Sequence, residues 1–293
     1  VSGAADLTGN TGTKLDGEER QSAGTPGGRM VAYGIREHAM GASMNGMAAH
    51  GGVLPVGGTF FVFSDYMRPS VRLAVLSRAK VVYSWTHDSI GLGEDGPTHQ
   101  PVEHLAAMRA VPGLRLIRPA DANEVAAAWK VAVESAGGPV GLVLSRQGLP
   151  VLQGTAERAP EGLCRGAYVL LDTEGLPDVV LIGTGSEVSC CVDAAALLAD
   201  RGVGARVVSF PSWDMLALQD EGYVGEVFPP GVPRLGVEAA ASLGWARWED
   251  AGVHLDRFGA SAPGERAMHE LGFSGENVAL RAEELLQAKR SGR

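Results

Sequence analysis

Apolar runs typical of β-strands alternate with helical patterns along most of this chain, and this alternation limits the folds that it can adopt. The segments 80–85 and 140–144 are short and largely apolar, as strands are, whereas 36–50, 64–79 and 243–251 have the pattern of helices. Strands and helices that alternate in this way form a mostly parallel sheet with helices on its faces. The sequence therefore predicts the α/β class.

The alternation is interrupted once, between residues 151 and 163. That segment, VLQGTAERAPEGL, is polar, contains proline and glycine and has no periodicity, which is typical of a linker. A second series of strands begins with 167–171 and 179–182. We therefore predict two consecutive three-layer α/β/α domains, each with a mostly parallel sheet, over residues 1–150 and 164–293.

The composition argues against several classes of protein. A formal net charge of -9 and a pI near 5.3 disfavour binding to nucleic acid or to an anionic membrane surface. No run approaches the roughly 18 apolar residues of a membrane span, and the first residues lack the pattern of a secretory signal. The three cysteines, Cys164, Cys190 and Cys191, form neither a disulfide framework nor a metal-type pair, which predicts a reducing compartment and hence the cytoplasm.

The segment 86–101, THDSIGLGEDGPTHQP, has the highest density of reactive side chains. It holds two histidines, three carboxylates and three glycines, and it follows the predicted strand 80–85 directly. Open α/β sheets bind their ligands at the carboxyl ends of their strands. Glycine lets the backbone approach a ligand closely, and His87 and His99 can exchange protons near neutral pH. We therefore predict that this loop forms the centre of an active site rather than an ordinary polar surface.

A second glycine pattern, GTG at 183–185, follows a predicted strand and precedes a predicted helix. It resembles the start of a dinucleotide-binding fingerprint, but the third position of that fingerprint is Val188 instead of glycine. We therefore interpret these glycines as turn residues at a helix N-terminus.

Taken together, several segments resemble the transketolase family. In the family's order they are YGIREHAM, HGGVLPVGGTFFVFSDYMR, THDSIGLGEDGPTHQP, LIRPADANE, LSRQ, GTGSEV, VVSFPSWD and DRFGASAP, and the resemblance covers essentially the full chain. It implies that the first half is the domain that binds the pyrimidine ring of thiamine diphosphate, and that the second half is the family's carboxyl-terminal domain. It also implies the transfer of a two-carbon ketol group from a ketose phosphate to an aldose phosphate.

The resemblance also implies which residues bind the cofactor. Glu37, in YGIREHAM, is then the catalytic carboxylate that hydrogen-bonds the pyrimidine N1′, while the cofactor provides the carbanion chemistry. Aromatic side chains wall the pyrimidine, and Leu7 supports the bent shape of the cofactor. The predicted cofactor contacts besides Glu37 are Phe60, Phe63, Tyr66, Leu7 and Asp6.

On the substrate side, the resemblance implies that His99 contacts the reacting end of the donor ketose and assists proton transfer, an effect of about 10²- to 10⁴-fold. Asp95 then recognises the hydroxyl next to the reacting carbon. His87 and Arg146 hold the sugar phosphate, which gives this acidic chain a local basic site. Asn10 stands where the family usually has a serine that helps to bind the phosphate, and its amide can also donate to an anion.

The family's diphosphate and metal site is implied to lie outside this chain. In the family, a GDG segment in a separate amino-terminal domain holds the diphosphate and Mg²⁺ (or Ca²⁺), and this sequence has no GDG. We therefore expect no metal ligands here and little activity without that domain, which is either part of the same polypeptide or a second subunit. The start at Val1 instead of methionine favours a fragment. Because the family's site forms between subunits, a homodimer or heterotetramer is expected.

Two alternatives remain open from the sequence. One is a relative of the dihydroxyacetone synthase or deoxyxylulose-phosphate synthase type, although the loop 86–101 fits the second poorly. The other is a non-catalytic assembly subunit that keeps the fold. The joint presence of Glu37, His87, Asp95 and His99 with Arg146 argues against a scaffold, which has no need of this set.

Overall fold

The computed structural model describes residues 1–135 and 137–292, which form two sheets flanked by helices. The strands of the first sheet all run parallel, in the order β2-β1-β3-β4-β6-β5. They are β1 Ser2–Ala4, β2 Met30–Ala32, β3 Val56–Phe60, β4 Val82–Thr86, β5 Arg115–Ile117 and β6 Val140–Leu144. The helices that connect them are α1 Glu37–His50, α2 Ser64–Leu76, α3 His104–Arg109 and α4 Ala122–Glu134.

The second sheet has the order β11-β10-β8-β9-β7, and only β7 runs antiparallel to its neighbour. Its strands are β7 Tyr168–Leu171, β8 Val179–Gly183, β9 Ala205–Ser209, β10 Arg234–Val237 and β11 Ala251–Val253. The helices of this half are α5 Thr155–Arg165, α6 Glu187–Ala199, α7 Trp213–Leu216, α8 Glu221–Val227, α9 Gly264–Glu270 and α10 Gly275–Arg290. The predicted architecture of two mostly parallel α/β sheets is confirmed.

The burial of the central strand β4 explains why it could be recognised as a strand from the sequence. Every residue of β4 is buried, because β3 and β6 flank it and helices cover the sheet, so it reads as one short apolar run. The helix α1 packs closely on β3 through Gly57, where an added Cβ would lie 2.3 Å from the Met44 sulfur. Close packing of this kind fixes the start of α1 relative to the strand ends.

The prediction that residues 151–163 lack regular structure was wrong, because α5 occupies 155–165. The helix lies between Gly154 and Gly166, which both have left-handed backbones, with φ of 89° and 94°. Its buried face consists of Thr155, Ala159, Gly162 and Leu163. Because three of these side chains are small, the segment reads as polar although its spacing is helical. The domain bounds 1–150 and 164–293 stay a prediction.

The prediction of a helix at 243–251 was also wrong. This segment contains a single 3₁₀ turn, Trp245–Arg247, and then enters β11. Trp245 is fully buried and its indole Nε1 donates to Glu238 at 2.8 Å. A tertiary contact of this kind outweighs the local helical pattern. In the part of the chain that the structure describes, no helix combines the length and the apolar character that a membrane crossing needs.

Candidate active site

The predicted site residues all follow strand ends of the first sheet. Because its strands are parallel, their carboxyl ends meet at one edge, which we call the carboxyl edge. Taken in the order of the strands across the sheet, they are Glu37 after β2; Asp6, Leu7 and Asn10 after β1; Phe60, Phe63 and Tyr66 at the end of β3; His87, Asp95 and His99 after β4; and Arg146 after β6. Residues far apart in the sequence are thus brought to a single edge.

Glu37 is the first residue of α1 and lies at one end of this edge. Only 7% of the residue is exposed, and none of the residues that the structure describes forms a hydrogen bond with its carboxylate. A helix N-terminus favours a negative charge. Glu37 is therefore available to a hydrogen-bonding group from outside this chain.

An aromatic cluster joins the loops after β3 and β4. The rings of Phe60 and His87 stack with centroids 3.7 Å apart, and Phe63 meets the ring of His99 edge-on at 5.6 Å. Phe60 and Phe63 are themselves stacked at 5.9 Å. Tyr66 contacts Phe63 at 6.0 Å and is 66% exposed, so it forms the outer end of the cluster. The predicted aromatic residues and the two histidines therefore form one surface.

His87 occupies an unusual position at the end of β4. Its backbone is left-handed, with φ of 63°, and its imidazole is buried with Nδ1 3.0 Å from the hydroxyl of Thr86. Burial lowers the pKa of the imidazole, and the charge of Arg146 lowers it further, to about 4, although Asp95 and Asp88 oppose the shift. His87 is therefore neutral at pH 7 and can donate or accept a hydrogen bond.

We predict that His87 titrates in the folded chain near pH 4, as measured by the chemical shift of its imidazole in an NMR titration. Because an unfolded histidine titrates near about 6.5, the unfolded chain binds this proton first. The free energy of unfolding is then expected to fall as the pH drops from about 6.5 to about 4. Arg146→Ala should raise the titration midpoint of His87. A midpoint near 6.5 in the unmodified chain would contradict the prediction.

The remaining predicted substrate contacts are more open. His99 is half-buried, and its Nδ1 hydrogen-bonds the hydroxyl of Thr98 at 2.9 Å, which leaves Nε2 to face a ligand. Asp95 and Arg146 are exposed, and neither forms an ion pair with a residue in 1–135 or 137–292. A free carboxylate and a free guanidinium on either side of two histidines can bind a polar, anionic ligand.

The second half of the chain forms hydrogen bonds with the loop 86–101. The Ser261 hydroxyl donates to the carbonyl of Glu94, and the Gln100 amide donates to the carbonyl of Ala260 at 3.0 Å. Both contacts come from the DRFGASAP segment, which lies between β11 and α9. The loop is therefore fixed at its middle and at its end by the second domain.

Arg118 was not among the predicted site residues, although it lies directly beneath the loop. Its side chain is 1% exposed, and its Nε donates to Asp88 at 2.9 Å while another nitrogen donates to the hydroxyl of Thr184 at 2.8 Å. Glu187 accepts from the same guanidinium. The signal that could have identified it is a lone cation in the apolar context LIRPA, at the carboxyl end of β5.

A second buried ion pair joins the two halves. Arg109 donates two hydrogen bonds of 2.7 Å to Glu238, which also accepts from Thr184 and Trp245. The guanidinium of Arg109 lies 3.8 Å above the ring of Trp213. Burial alone would raise the pKa of Glu238, but the Arg109 charge and its hydrogen bonds outweigh burial and lower that pKa to about 2. This carboxylate is therefore ionised and fully paired.

Comparison with known families identifies both halves. A model of the pyrimidine binding domain of transketolase matches residues 1–151, and a model of the transketolase-like C-terminal domain matches residues 166–274. The chain belongs to the transketolase family. The predicted membership and the order of the two domain types are thereby confirmed.

Individual transketolases are similar to this chain over nearly its whole length. The transketolase of Halalkalibacterium halodurans is 53% identical over 98% of this chain and 44% of its own length. The Pichia stipitis transketolase, in a complex with sedoheptulose 7-phosphate, is 42% identical over 99% of this chain and 43% of its own, with a TM-score of 0.94. A split-gene transketolase described as an inactive β4 tetramer is 24% identical over 98% of this chain and 92% of its own, with a TM-score of 0.78, and shows the shared fold. The chain spans less than half the length of the transketolases of Halalkalibacterium halodurans and Geobacillus stearothermophilus, which it covers to 44% and 43%.

Proposed function

We propose that this chain forms the pyrimidine-side and substrate-binding half of a transketolase active site. In this function a two-carbon ketol group, glycolaldehyde, moves from a ketose phosphate to an aldose phosphate with thiamine diphosphate as cofactor. The observation that carries the proposal is the order along the carboxyl edge: Glu37 follows the edge strand β2, the histidines follow the central strand β4, and Arg146 follows the next strand, β6. A cofactor ring beside Glu37 and a sugar phosphate beside Arg146, with the reacting atoms near the histidines between them, match this order.

The cofactor fits the residues at the first end of the edge. The buried carboxylate of Glu37 has no partner in the described residues and can hydrogen-bond a ring nitrogen, while Phe60 and Phe63 offer flat apolar faces. Leu7 and Asp6 follow the neighbouring strand β1 and would lie against the same group. Thiamine diphosphate supplies a stabilised carbanion when it is bound. These residues would hold its ring, fix its orientation and exclude water.

The substrate fits the other end. His99, through its outward Nε2, would move a proton at the reacting end of the sugar, and Asp95 would accept a hydrogen bond from the adjacent hydroxyl. The neutral imidazole of His87 and the guanidinium of Arg146 would bind the phosphate. Asn10, exposed after β1, would donate its amide to the same anion. Arg146 thus gives a chain of net charge -9 a local cationic group for the phosphate.

The diphosphate and the metal ion, Mg²⁺ or Ca²⁺, would be held by an amino-terminal domain in the same protein or in a second subunit. Relatives more than twice as long as this chain support that assignment. The exposed positions of Tyr66, Asp95 and Arg146 are consistent with a site that this second part covers. We propose a homodimer or a heterotetramer as the working assembly. The free cysteines favour a reducing compartment such as the cytoplasm.

The test is ketol transfer from xylulose 5-phosphate to ribose 5-phosphate by an assembly that contains both this chain and the diphosphate-binding domain. We expect turnover that depends on both parts and on thiamine diphosphate. Formaldehyde as acceptor in place of ribose 5-phosphate tests for the dihydroxyacetone synthase type, and pyruvate as donor in place of xylulose 5-phosphate tests for the deoxyxylulose-phosphate synthase type. Absence of ketol transfer in an assembly that binds the cofactor would contradict the proposed function.

Replacing Arg146 by alanine is expected to weaken recognition of the phosphate. A charge-assisted hydrogen bond contributes about 1.5 to 3 kcal/mol, so kcat/KM for xylulose 5-phosphate should fall by about 10- to 100-fold. Arg146→Lys keeps the charge but loses the planar pair of donors. Its kcat/KM for xylulose 5-phosphate should lie between the values for the unmodified protein and for Arg146→Ala. With xylulose, which has no phosphate, the three proteins should perform alike. An equal loss with both sugars would mean that Arg146 does not bind the phosphate.

A further inference from the structure

We propose that Arg118 is a positioning residue through which the second domain fixes His87 for phosphate recognition. The inference rests on the proposed function of His87 and extends it to a residue that touches neither sugar nor cofactor. Four residues around the guanidinium carry it: Asp88 from the site loop, and Thr184, Gly185 and Glu187 from the turn and helix after β8.

The guanidinium of Arg118 binds both domains at once. Its Nε donates to the carboxylate of Asp88 at 2.9 Å, and a terminal nitrogen donates to the carbonyl and the hydroxyl of Thr184 at 2.9 and 2.8 Å. Glu187, at the start of α6, accepts at 3.2 Å from the other terminal nitrogen. Because the group is planar and rigid, its contacts with the second domain determine where the donors to Asp88 lie.

Because Asp88 follows His87 directly, its contact with Arg118 also restricts the position of His87. A left-handed backbone is unfavourable for a residue with a side chain and persists only where the surroundings hold it. The adjacent Asp88 is almost fully buried, and its carboxylate accepts from Arg118 and from the hydroxyl of Ser89 at 3.2 Å. On the other side, Phe60 stacks on the imidazole. His87 is therefore held by the anchored residue that follows it and by an aromatic ring from β3.

Gly185 leaves the space that Arg118 occupies. Its backbone is left-handed, with φ of 54°, and an added Cβ would lie 2.6 Å from Nε and 2.7 Å from Cζ of Arg118. Both distances are too short for a carbon atom, so the guanidinium would have to move. This assigns a purpose to the GTG pattern at 183–185, whose turn before α6 agrees with the sequence-based interpretation. The pattern makes room for a side chain of the other domain.

Gly185→Ala tests the proposal, and Gly202→Ala is its matched control. Gly202 also has a left-handed backbone, with φ of 75°, but an added Cβ there meets nothing within 4 Å. Both changes impose backbone strain in the second domain, and only the first displaces Arg118. In an NMR titration of the chain, with the signal assigned through His87→Gln, we expect Gly185→Ala to raise the midpoint of His87 from about 4 by about one pH unit or more, since a looser imidazole is less buried. Gly202→Ala should leave it unchanged.

The kinetic readout uses the assembly with the diphosphate-binding domain. Gly185→Ala should lower the ratio of kcat/KM for xylulose 5-phosphate to that for xylulose by about 10-fold, because a misplaced His87 affects only the phosphate end. A purely structural role of Arg118 would lower both values alike and leave the ratio unchanged. Gly202→Ala should keep the ratio of the unmodified protein.

Asp88→Asn is the second probe, because it weakens the contact with Arg118 without altering the second domain. It should lower the substrate ratio as Gly185→Ala does, which keeps the test valid if Gly185→Ala fails to fold. The His87 midpoint is not a readout for Asp88→Asn, because loss of the Asp88 charge by itself lowers the pKa of His87. The proposal is overturned if a folded Gly185→Ala keeps both the midpoint and the ratio of the unmodified protein, or if a folded Asp88→Asn keeps the ratio. If the assembly shows no ketol transfer at all, the proposed function fails, whereas the titration of His87 still decides the role of Arg118.

Discussion

Replacing Glu37 by glutamine is expected to reduce ketol transfer by at least about 10²- to 10⁴-fold in the assembly that carries the diphosphate-binding domain. Glutamine has the same size and keeps the start of α1, but it removes the carboxylate that would pair with a protonated ring nitrogen of the cofactor. The KM for sugar phosphates should change little, because the strands β1, β3 and β4 separate β2, which Glu37 follows, from β6, which Arg146 follows. Steady-state kinetics measure the rate of ketol transfer and the KM. Thermal unfolding of the same preparations checks that the variant is folded.

Glu221→Gln is the matched control for this substitution. Glu221 is also the first residue of a helix, α8, but it is exposed and belongs to the second domain. Its replacement should leave ketol transfer unchanged. If the Glu37→Gln assembly transfers the ketol group as fast as the unmodified one, this chain does not supply the catalytic carboxylate, and the alternative of a non-catalytic assembly subunit gains support.

Replacing Arg109 by methionine is expected to lower the free energy of unfolding of the chain by about 3 to 5 kcal/mol. Methionine keeps an apolar contact with Trp213 but leaves the carboxylate of Glu238 buried without its cation. The low pKa of Glu238, about 2, means that its pairing stabilises the fold above pH about 4.5 and is lost as the pH falls toward 2. Urea unfolding at pH 7 and at pH 3 measures both effects, and the difference between the proteins should be smaller at pH 3.

Arg201→Met provides the comparison, because Arg201 forms a partly exposed ion pair with Glu283 at 2.9 Å. Its replacement should cost about 0 to 1 kcal/mol. The double variant Arg109→Met/Glu238→Gln should be more stable than Arg109→Met alone, since it removes the unpaired charge. An equal cost for Arg109→Met and Arg201→Met would show that the pair between the domains contributes no more than a surface contact.

The location of the candidate site residues at one edge of the first sheet was predictable because of a rule of parallel sheets. Once 80–85 is recognised as a strand, the histidines of the next segment must lie at its carboxyl end, and the same holds for Arg146 after β6. Parallel neighbours bring those ends together, so correct strands alone place the loops on one edge. This inference needs no exact bounds, and errors of one or two residues in the strands did not affect it.

Other elements could not be predicted, for reasons of size and context. The strands β1 and β2 have three residues each, which is too short for an apolar pattern to be distinguished from chance. The buried face of α5 is made of small side chains, so its periodicity is invisible in polarity. The conformation of 243–251 depends on the hydrogen bond from Trp245 to Glu238. Glu238 directly follows β10 and lies outside this segment, so the local sequence pattern does not include it.

The sequence by itself determined which chemical groups stand at the strand ends and the family to which the chain belongs, because both depend on residue types and their order. Only the tertiary structure decided how those groups behave. The burial that keeps His87 neutral, the left-handed backbone that orients it and the contact of Arg118 with both domains all arise from atoms distant in the chain. Ionisation and orientation depend on the local dielectric and on nearby charges, and folding alone brings these together.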